Sequence, residues 1–474
     1  MSQLAPSLTL RLPDLVGPAR VVADATSLAA CEVDGRSPSA ILQPDSAAEI
    51  AEILRFASAE RLAVIPMGGR THLGIGMPPR HYDLALDLSR MNKILACEPR
   101  DLTLGVEPGV TCADLARELR QKGQFLPIAP PFADRATLGG MVAAGVDSPL
   151  RYGYGATRDF LLGVEFVTGE GLISKSGGRV VKNVTGYDLH KLFVGSLGTL
   201  GIVTRLNFRT FPLPPRRRMF LIAFDSASRA FEFCRLLVNS PLDPKLLEVI
   251  DAGTAALFQS RGIDFLPTGS WLVASEAAGH ESVLARHERD LASISREAGA
   301  AAFISPEESQ RERLFACLSE FPSIAFAANR TAVIFRVPAV PSAMLSLLEK
   351  IRSLTDDHDL SCAVLVRALG VVYVALLSPE RSPVEPPLES PIESPMESKT
   401  RSPLINYSIN CSRSMLDLFI SQGALPTIEH CPLEIKTALD IWPPPGAENE
   451  IAQRLKRVFD PREILSPGRF RGGI

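Results

Sequence analysis

The stretch RVVKNVTGYDLHKLFVGSLGTLGIVT, residues 179–204, puts Gly186, Gly195, Gly198 and Gly201 just before an apolar, β-branched run. Glycine weakens a strand and loses the most backbone freedom on folding, so its clustering implies that something approaches the backbone closely. From Gly195 the spacing is GxxGxxG and leads into a strand. The Rossmann fingerprint is GxGxxG and opens a helix, so that site is disfavoured. A second loop, MGGRTHLGIG (67–76), follows a short apolar run from Leu62 to Ile65 that stops at Pro66. Its successive N–H groups, unshielded by Cβ atoms, suit a pyrophosphate. A third segment, TLGGMVAAG from Thr137, reads as a helix start with small residues on a packed face. None of the three carries the GK[ST] of a nucleotide triphosphate loop.

At 474 residues the chain exceeds one ordinary core, and two or three domains are expected. Its 46% hydrophobic and 22% charged residues are those of a folded globular protein. A formal net charge of −3 and a pI near 6.2 argue against a nucleic-acid binder. The short basic cluster Arg216, Arg217 and Arg218 reads as a solvated junction between domains. The eight cysteines form no CxxC pair, which predicts reduced thiols and no iron–sulfur cluster in this chain. The seven histidines are dispersed, without HxH or HExxH, so no metal site is expected. No signal peptide or membrane-length apolar run is evident, and a cytoplasmic protein is expected, membrane-associated at most through partner subunits.

Local signals organise the rest. Ile50, Ile53, Leu54 and Ala57 share a helical face behind the caps Asp45 and Ser46. LALDL, KILACEP and DLTLGVEPG read as strands, followed by a helix from Thr111 with a capping pattern at Thr111 and Asp114. GVEFVTGEGLIS is a hairpin turning at Gly169–Gly171, and GIVTRLNFRTF a half-buried strand. From Arg216 the texture changes to strands (FLIAF, LLEVI, SWLVAS, TAVIFRV, VVYVALL) alternating with amphipathic helices. The Glu-Ser-Pro units of 378–403 carry too much proline and too little apolar surface to fold, and read as a disordered insertion.

These motifs, in this order, together with RYGYGATRDFLLGVEFVTGEG from Arg151 and FDPREILSPGRFRGGI from Phe459, resemble the PCMH-type FAD-binding family. That family includes vanillyl-alcohol oxidase, D-lactate dehydrogenases and glycolate oxidase. The resemblance implies an α+β fold: a PCMH-type FAD-binding domain over 1–214, an α+β, ferredoxin-like cap over 215–445 with helices on one side of its sheet, and a C-terminal segment, 446–474, returning to the FAD-binding domain. It further implies that Pro66, Met67, Gly68, Gly69, Arg70, Thr71 and His72 wrap the FAD pyrophosphate. Thr137, Gly139, Gly140, Ala144, Gly145 and Val146 would line the cofactor's far side. Gly198, Thr199, Leu200, Gly201, Ile202 and Val203 would contact its adenosine half. The glycines are expected to clear the way for the flat ligand. Relatives that bind FAD covalently place histidine directly after two glycines, where this chain has Arg70; noncovalent FAD is therefore expected. Tyr187 and Asp188 lie either near the flavin or in a packed, capped turn.

Within the family, VVKNVTGYDLHKL, CPLEIKTALDIWPP, RLKRVFDP and LSPGRFRGGI most resemble the smaller of the FAD-binding subunits of bacterial glycolate oxidase. Trp-Pro-Pro at Trp442 and the Glu-Ser-Pro insertion depart from that pattern. The resemblance implies a complex with a larger FAD-binding subunit and an iron–sulfur subunit, acting on a small 2-hydroxy acid. The HxGDGNxH motif and later Glu-His pair of the D-lactate-dehydrogenase-like relatives are read as missing between Pro215 and Asp440. Arg367 and His430 are candidates for holding a hydroxy acid, each equally read as structural, and no catalytic base is assigned. The alternatives are a self-sufficient FAD-linked oxidoreductase, a non-catalytic FAD-binding or electron-relay subunit, and, less favoured by the tail and TGYDL segments, a MurB-like reductase.

Overall fold

The computed structural model describes residues 4–179, 186–377 and 403–474. Residues 180–185 of the decisive stretch, and the expected insertion up to residue 402, lie outside the described residues. β1 (Ala40–Leu42) leads into α1 (Ala47–Glu60). Ser46 caps α1 by accepting the Glu49 N–H, and Ile50, Ile53, Leu54 and Ala57 are buried as their spacing requires. β3 (Leu84–Asp87) pairs in parallel with both β1 and β2 (Val64–Met67), in the order Val21–Val22, β1, β3, β2. Pro66 does not end its strand as expected. It sits inside β2 at the sheet edge, where a missing N–H is tolerated.

The second sheet builds the other side of the domain. β4 (Ile94–Glu98) and β5 (Thr103–Val106) precede α2 (Cys112–Gln121) and α3 (Leu138–Ala144). Thr111 and Thr137 cap these helices, accepting the N–H groups of Asp114 and Gly140. The hairpin β6 (Leu161–Val167) and β7 (Ile173–Gly177) forms as read, and β8 (Ile202–Arg209) closes an antiparallel sheet ordered β4-β5-β8-β6-β7.

The cap sheet starts with β9 (Arg216–Phe224), α4 (Ala227–Val238), β10 (Leu246–Asp251), α5 (Ala252–Gln259), β11 (Trp271–Gly279), α6 (Glu281–Glu297) and β12 (Ala302–Ile304). After α7 (Glu308–Ala328) come β13 (Val333–Pro338), α8 (Met344–Asp357), β14 (Ser361–Arg367), β15 (Val371–Leu377), α9 (Pro403–Ser421) and β16 (Thr427–His430). All eight strands form one antiparallel sheet, ordered β12-β9-β11-β10-β14-β15-β13-β16. Counted from either outer edge inward, each half is a ferredoxin-like β-α-β-β-α-β unit with strand order 4-1-3-2, and the halves join where β10 pairs with β14. The cap is thus a duplicated ferredoxin-like unit.

The helices of the repeat, α4, α6, α8 and α9, pack on one face through Phe233, Leu291, Ile351 and Phe419. The expected one-sided cover is incomplete as a description, because α5 and α7 cover part of the opposite face with Phe258, Leu318 and Phe321. Full burial of side chains of this size contributes ~1.5–3 kcal/mol each.

The chain then returns through α10 (Glu448–Phe459). Val64 donates to the Ile464 carbonyl at 2.8 Å, and Ser466 to the Val64 carbonyl at 2.9 Å. The buried Lys456 ammonium donates to the carbonyls of Thr199 (2.8 Å) and Leu465 (2.9 Å) and to Asp460 Oδ2 (2.7 Å). One lysine thus ties the C-terminal segment to the glycine turn before β8.

Candidate FAD cleft

Between the two sheets of the first domain lies an open cleft. Its floor is the loop after β2, with Pro66, Met67, Gly68, Gly69, Arg70, Thr71 and His72 all on its surface. Thr137, Gly139, Gly140 and Ala144 of the α3 segment form one wall, and Gly198, Gly201, Ile202 and Val203 the other. Fifteen of the nineteen expected positions therefore meet in one cavity.

The other four are turned to other tasks. The Gly145 carbonyl accepts from Arg336 Nη1 of the cap at 2.7 Å, and Val146 packs into the core. Thr199 is buried, with its carbonyl taken by Lys456, and Leu200 packs against the core under β8. Residues the motifs did not single out complete the lining: Leu73, Leu88, Pro108, Ala143, Ser196, Leu197 and Arg469. Of these, Arg469 was within reach of the sequence, as the one basic residue of LSPGRF in the returning tail.

The glycines also let protein segments approach one another closely. A Cβ at Gly69 would stand 1.6 Å from the Arg135 carbonyl oxygen, one at Gly68 2.2 Å from Thr137 Oγ1, and one at Gly139 2.5 Å from Pro108 Cβ. At Gly198, whose φ is +71°, it would meet Pro66 Cγ at 2.5 Å. Each of these atoms belongs to the protein. The glycines let the cleft's own walls close on one another, and the cleft is the result.

The loop's donors are free. The backbone N–H groups of Gly68, Gly69, Arg70 and Thr71 have no acceptor among the described residues. Arg70 has φ +58°, so the backbone turns through the left-handed region within this run of amides, as in anion-binding nests. Arg469 is 3% exposed; its Nη2 donates to the carbonyls of Leu73 and Ile75, while Nε has no partner. Unpaired amides and an unpaired guanidinium nitrogen in one cleft suit an anionic, extended ligand.

At the His72 end the cap approaches. Burial, with the charges of His430 and Arg336, pushes the His72 imidazole down to about 4, and its Nδ1 lies 2.8 Å from Thr71 Oγ1. His430 stacks on Phe326 and is likewise pushed down to about 4, by burial and by Lys436. Both rings are neutral at pH 7. Arg367, the other sequence candidate, is committed elsewhere, donating to Glu248 Oε1 at 3.0 Å and to the Leu318 carbonyl at 2.7 Å. The structure also corrects the reading of the Glu-His pair: Glu429-His430 stands on β16, with Glu429 3.3 Å from Arg336. The HxGDGNxH motif has no counterpart in the sequence, and no group of His, Cys, Asp and Glu among the described residues is arranged to hold a metal. Tyr187 is 89% exposed rather than packed, and Asp188 pairs with Lys191 at 2.8 Å without making a capping hydrogen bond, so the packed, capped turn is not found, and neither residue lines the cleft.

Residues 38–177 match the FAD binding domain family, and 213–371 the C-terminal domain of FAD linked oxidases. The chain is 30% identical to glycolate oxidase subunit GlcD of Bacillus subtilis (strain 168) over 330 residues, 68% of this chain and 69% of that one. The chain belongs to the FAD-linked oxidase family. Its cofactor is FAD, and the free amides of the 68–71 loop with Arg469 fit the anionic part of that group. Two further relatives match shorter stretches. Glycolate oxidase subunit GlcE of Escherichia coli (strain K12) is 34% identical over 36% of this chain and 48% of its own. D-2-hydroxyglutarate dehydrogenase of Stutzerimonas stutzeri (strain A1501) is 34% identical over 43% and 45%. In fold, the FAD-linked oxidase chain superposes on p-cresol methylhydroxylase with TM-score 0.75 at 17% identity, covering 98% of this chain and 96% of that one. No helix among the described residues is long and apolar enough to cross a membrane.

Proposed function

We propose that this chain is a FAD-binding subunit of a glycolate oxidase (dehydrogenase) type complex, taking part in the oxidation of glycolate to glyoxylate. The observation that carries the reading is Arg336. It is a largely buried cation that reaches from the cap to Gly145, and its charge acts on His72 at the cleft. A 2-hydroxy acid needs a cation for its carboxylate and a proton acceptor for its hydroxyl. Arg336 would supply the first, and the neutral His72 and His430 are the candidates for the second. FAD, when bound, supplies the acceptor for the hydride of the α-carbon. The amides at 68–71 and Arg469 would hold its anionic groups without a covalent bond.

Two relatives bear names of glycolate oxidase subunits, which supports a multi-subunit assembly; in this reading its other members are a larger FAD-binding subunit and an iron–sulfur subunit that takes the electrons onward. In this reading the chain works in the cytoplasm and meets the membrane only through those partners. Its FAD-binding domain comprises 1–214 and 446–474, and its cap 215–445. The test is anaerobic addition of glycolate to the tagged chain, alone and with its co-purifying partners. Bleaching of the flavin band only in the assembly supports the reading; full-rate turnover by the chain alone contradicts the dependence on partners. A flavin that stays oxidised in the assembly with every 2-hydroxy acid would leave a non-catalytic FAD-binding subunit.

A further inference from the structure

Beyond its free amides, the loop after β2 is held by groups that arrive from distant parts of the chain. Three successive carbonyls are bound. Those of Leu73 and Ile75 accept from Arg469 Nη2 of the tail, the second at 2.5 Å, and that of Gly74 accepts from Lys436 Nζ at 2.5 Å. Lys436 stands on the short helix Leu433–Ala438, which follows β16. Ile435 beside it and Ile441 beyond it are buried in the cap's core, so Lys436 is part of the cap. Ile75 of the loop packs into the same core. Trp442 adds a further contact, its indole N–H donating to the Arg469 carbonyl at 3.1 Å.

The counter-ion of Lys436 comes from the N-terminal segment. Val33-Asp34-Gly35-Arg36 is a two-residue turn, closed by hydrogen bonds of 2.9 and 3.0 Å between Val33 and Arg36. Asp34 has φ +49° and Gly35 +78°, and Asp-Gly is a pair that such a turn favours because both positions take positive φ. The turn presents the Asp34 carboxylate, both oxygens of which accept from Lys436 at 2.9 Å. Lys436 and Arg469 are each 3% exposed. Two buried cations thus hold adjoining carbonyls, and Asp34 pairs with the lysine. The acceptors of Arg469 are carbonyls, and its Nε has no partner among the described residues. The charge left over lies in the cleft wall, which Arg469 lines. A buried cation without a counter-ion is costly, and an anion in the cleft relieves that cost.

We infer that Lys436 is a positioning residue that couples FAD binding to the seating of the cap. The seated cap fixes the loop through Gly74, so the amides at 68–71 are already aimed when the cofactor arrives and less ordering cost remains. The cofactor's anionic part in turn balances Arg469 and stabilises the seated cap. The two effects are equal by linkage: the affinity the cap lends to FAD is the stability FAD lends to the cap. The coupling needs FAD and no particular substrate, so it goes beyond the function proposed above and does not fall with it.

The test compares full-length apoprotein and holoprotein by hydrogen exchange, FAD titration and urea unfolding. In the wild type, FAD should slow exchange in peptides from 431–442 as well as from 67–76. In Lys436→Met the loop should still respond to FAD and the 431–442 peptides should not. The Kd for FAD should rise by roughly 5- to 150-fold, the usual span of coupling between two sites. Lys436→Arg, which keeps a cation there, should recover most of both. Trp442→Phe keeps a ring and Lys436 but loses the donor to Arg469; it should weaken the response of 431–442 and replaces Lys436→Met should that variant not fold. A lysine that merely joins two domains would cost apoprotein and holoprotein the same stability, whereas coupling makes the loss larger in the holoprotein. Exchange in 431–442 that ignores FAD in the wild type overturns the inference. So do equal losses of stability, or folded Lys436→Met and Trp442→Phe proteins with wild-type FAD affinity.

Discussion

Replacing Gly69 with alanine puts a Cβ at 1.6 Å from the Arg135 carbonyl oxygen and 2.5 Å from its carbon. Both are backbone atoms, so no side chain can swing away. Restoring ordinary van der Waals contact requires the 68–71 loop and the 135–136 segment to part by about 1.8 Å. A hydrogen bond does not survive such a displacement, because N–H···O distances span only ~2.7–3.2 Å. Loss of the Gly69 and Arg70 amides as donors to a charged group, at ~1.5–3 kcal/mol each, comes to about 3–6 kcal/mol. That is roughly a hundred- to ten-thousand-fold in Kd for FAD. Gly74→Ala is the control within the same loop: no atom lies within 4 Å of its Cβ and its φ is not positive, so FAD affinity should change by less than about threefold. The assay is fluorescence titration of apoprotein with FAD, with circular dichroism to confirm that each variant is folded. A folded Gly69→Ala protein with wild-type FAD affinity would refute the view that contact between the walls shapes the donor loop.

Other consequences are also measurable. Lys456→Met removes three buried hydrogen bonds and leaves Asp460 without its cation, so urea unfolding should show a loss of ~3–5 kcal/mol. Glu248 has a folded-state pKa raised from the ordinary carboxylate value to about 8, so below the ordinary value it imposes no penalty. Between that value and about 8 the unfolded state holds fewer protons, and stability falls as pH rises, by at most ~1.4 kcal/mol per pH unit from this group. In Glu248→Gln that part of the slope should vanish from denaturation curves taken at several pH values. Acid precipitation of the holoprotein should release all FAD into the supernatant; flavin retained on the pellet would show a covalent bond.

Much of the cleft was legible because its signals are local. Ser46, Thr111 and Thr137 cap the helices the sequence assigns to them, and glycine runs mark the loops that meet. What the glycines touch was not legible, since Arg135 and Thr137 reach Gly69 and Gly68 only through the fold. The same holds for Arg469, which arrives from the far end of the chain, and for Thr199, whose carbonyl is claimed by Lys456. The duplication of the cap shows in strand order, because the halves share a pattern of elements. β14 went unread: SCAVLVR ends in a charged residue, and only the partnership of Glu248 with Arg367 lets that arginine lie in a buried strand. Glu429-His430 was present in the sequence as a dipeptide, but its contact with Arg336 depends on the pairing of β16 with β13.

The most direct test of the account is the visible spectrum of the assembled holoprotein before and after anaerobic addition of glycolate. The account predicts a flavin band that bleaches with glycolate, and much less so when Arg336 is replaced by methionine. A protein that purifies without flavin, or an assembly whose flavin stays oxidised with glycolate and every other 2-hydroxy acid, would contradict it.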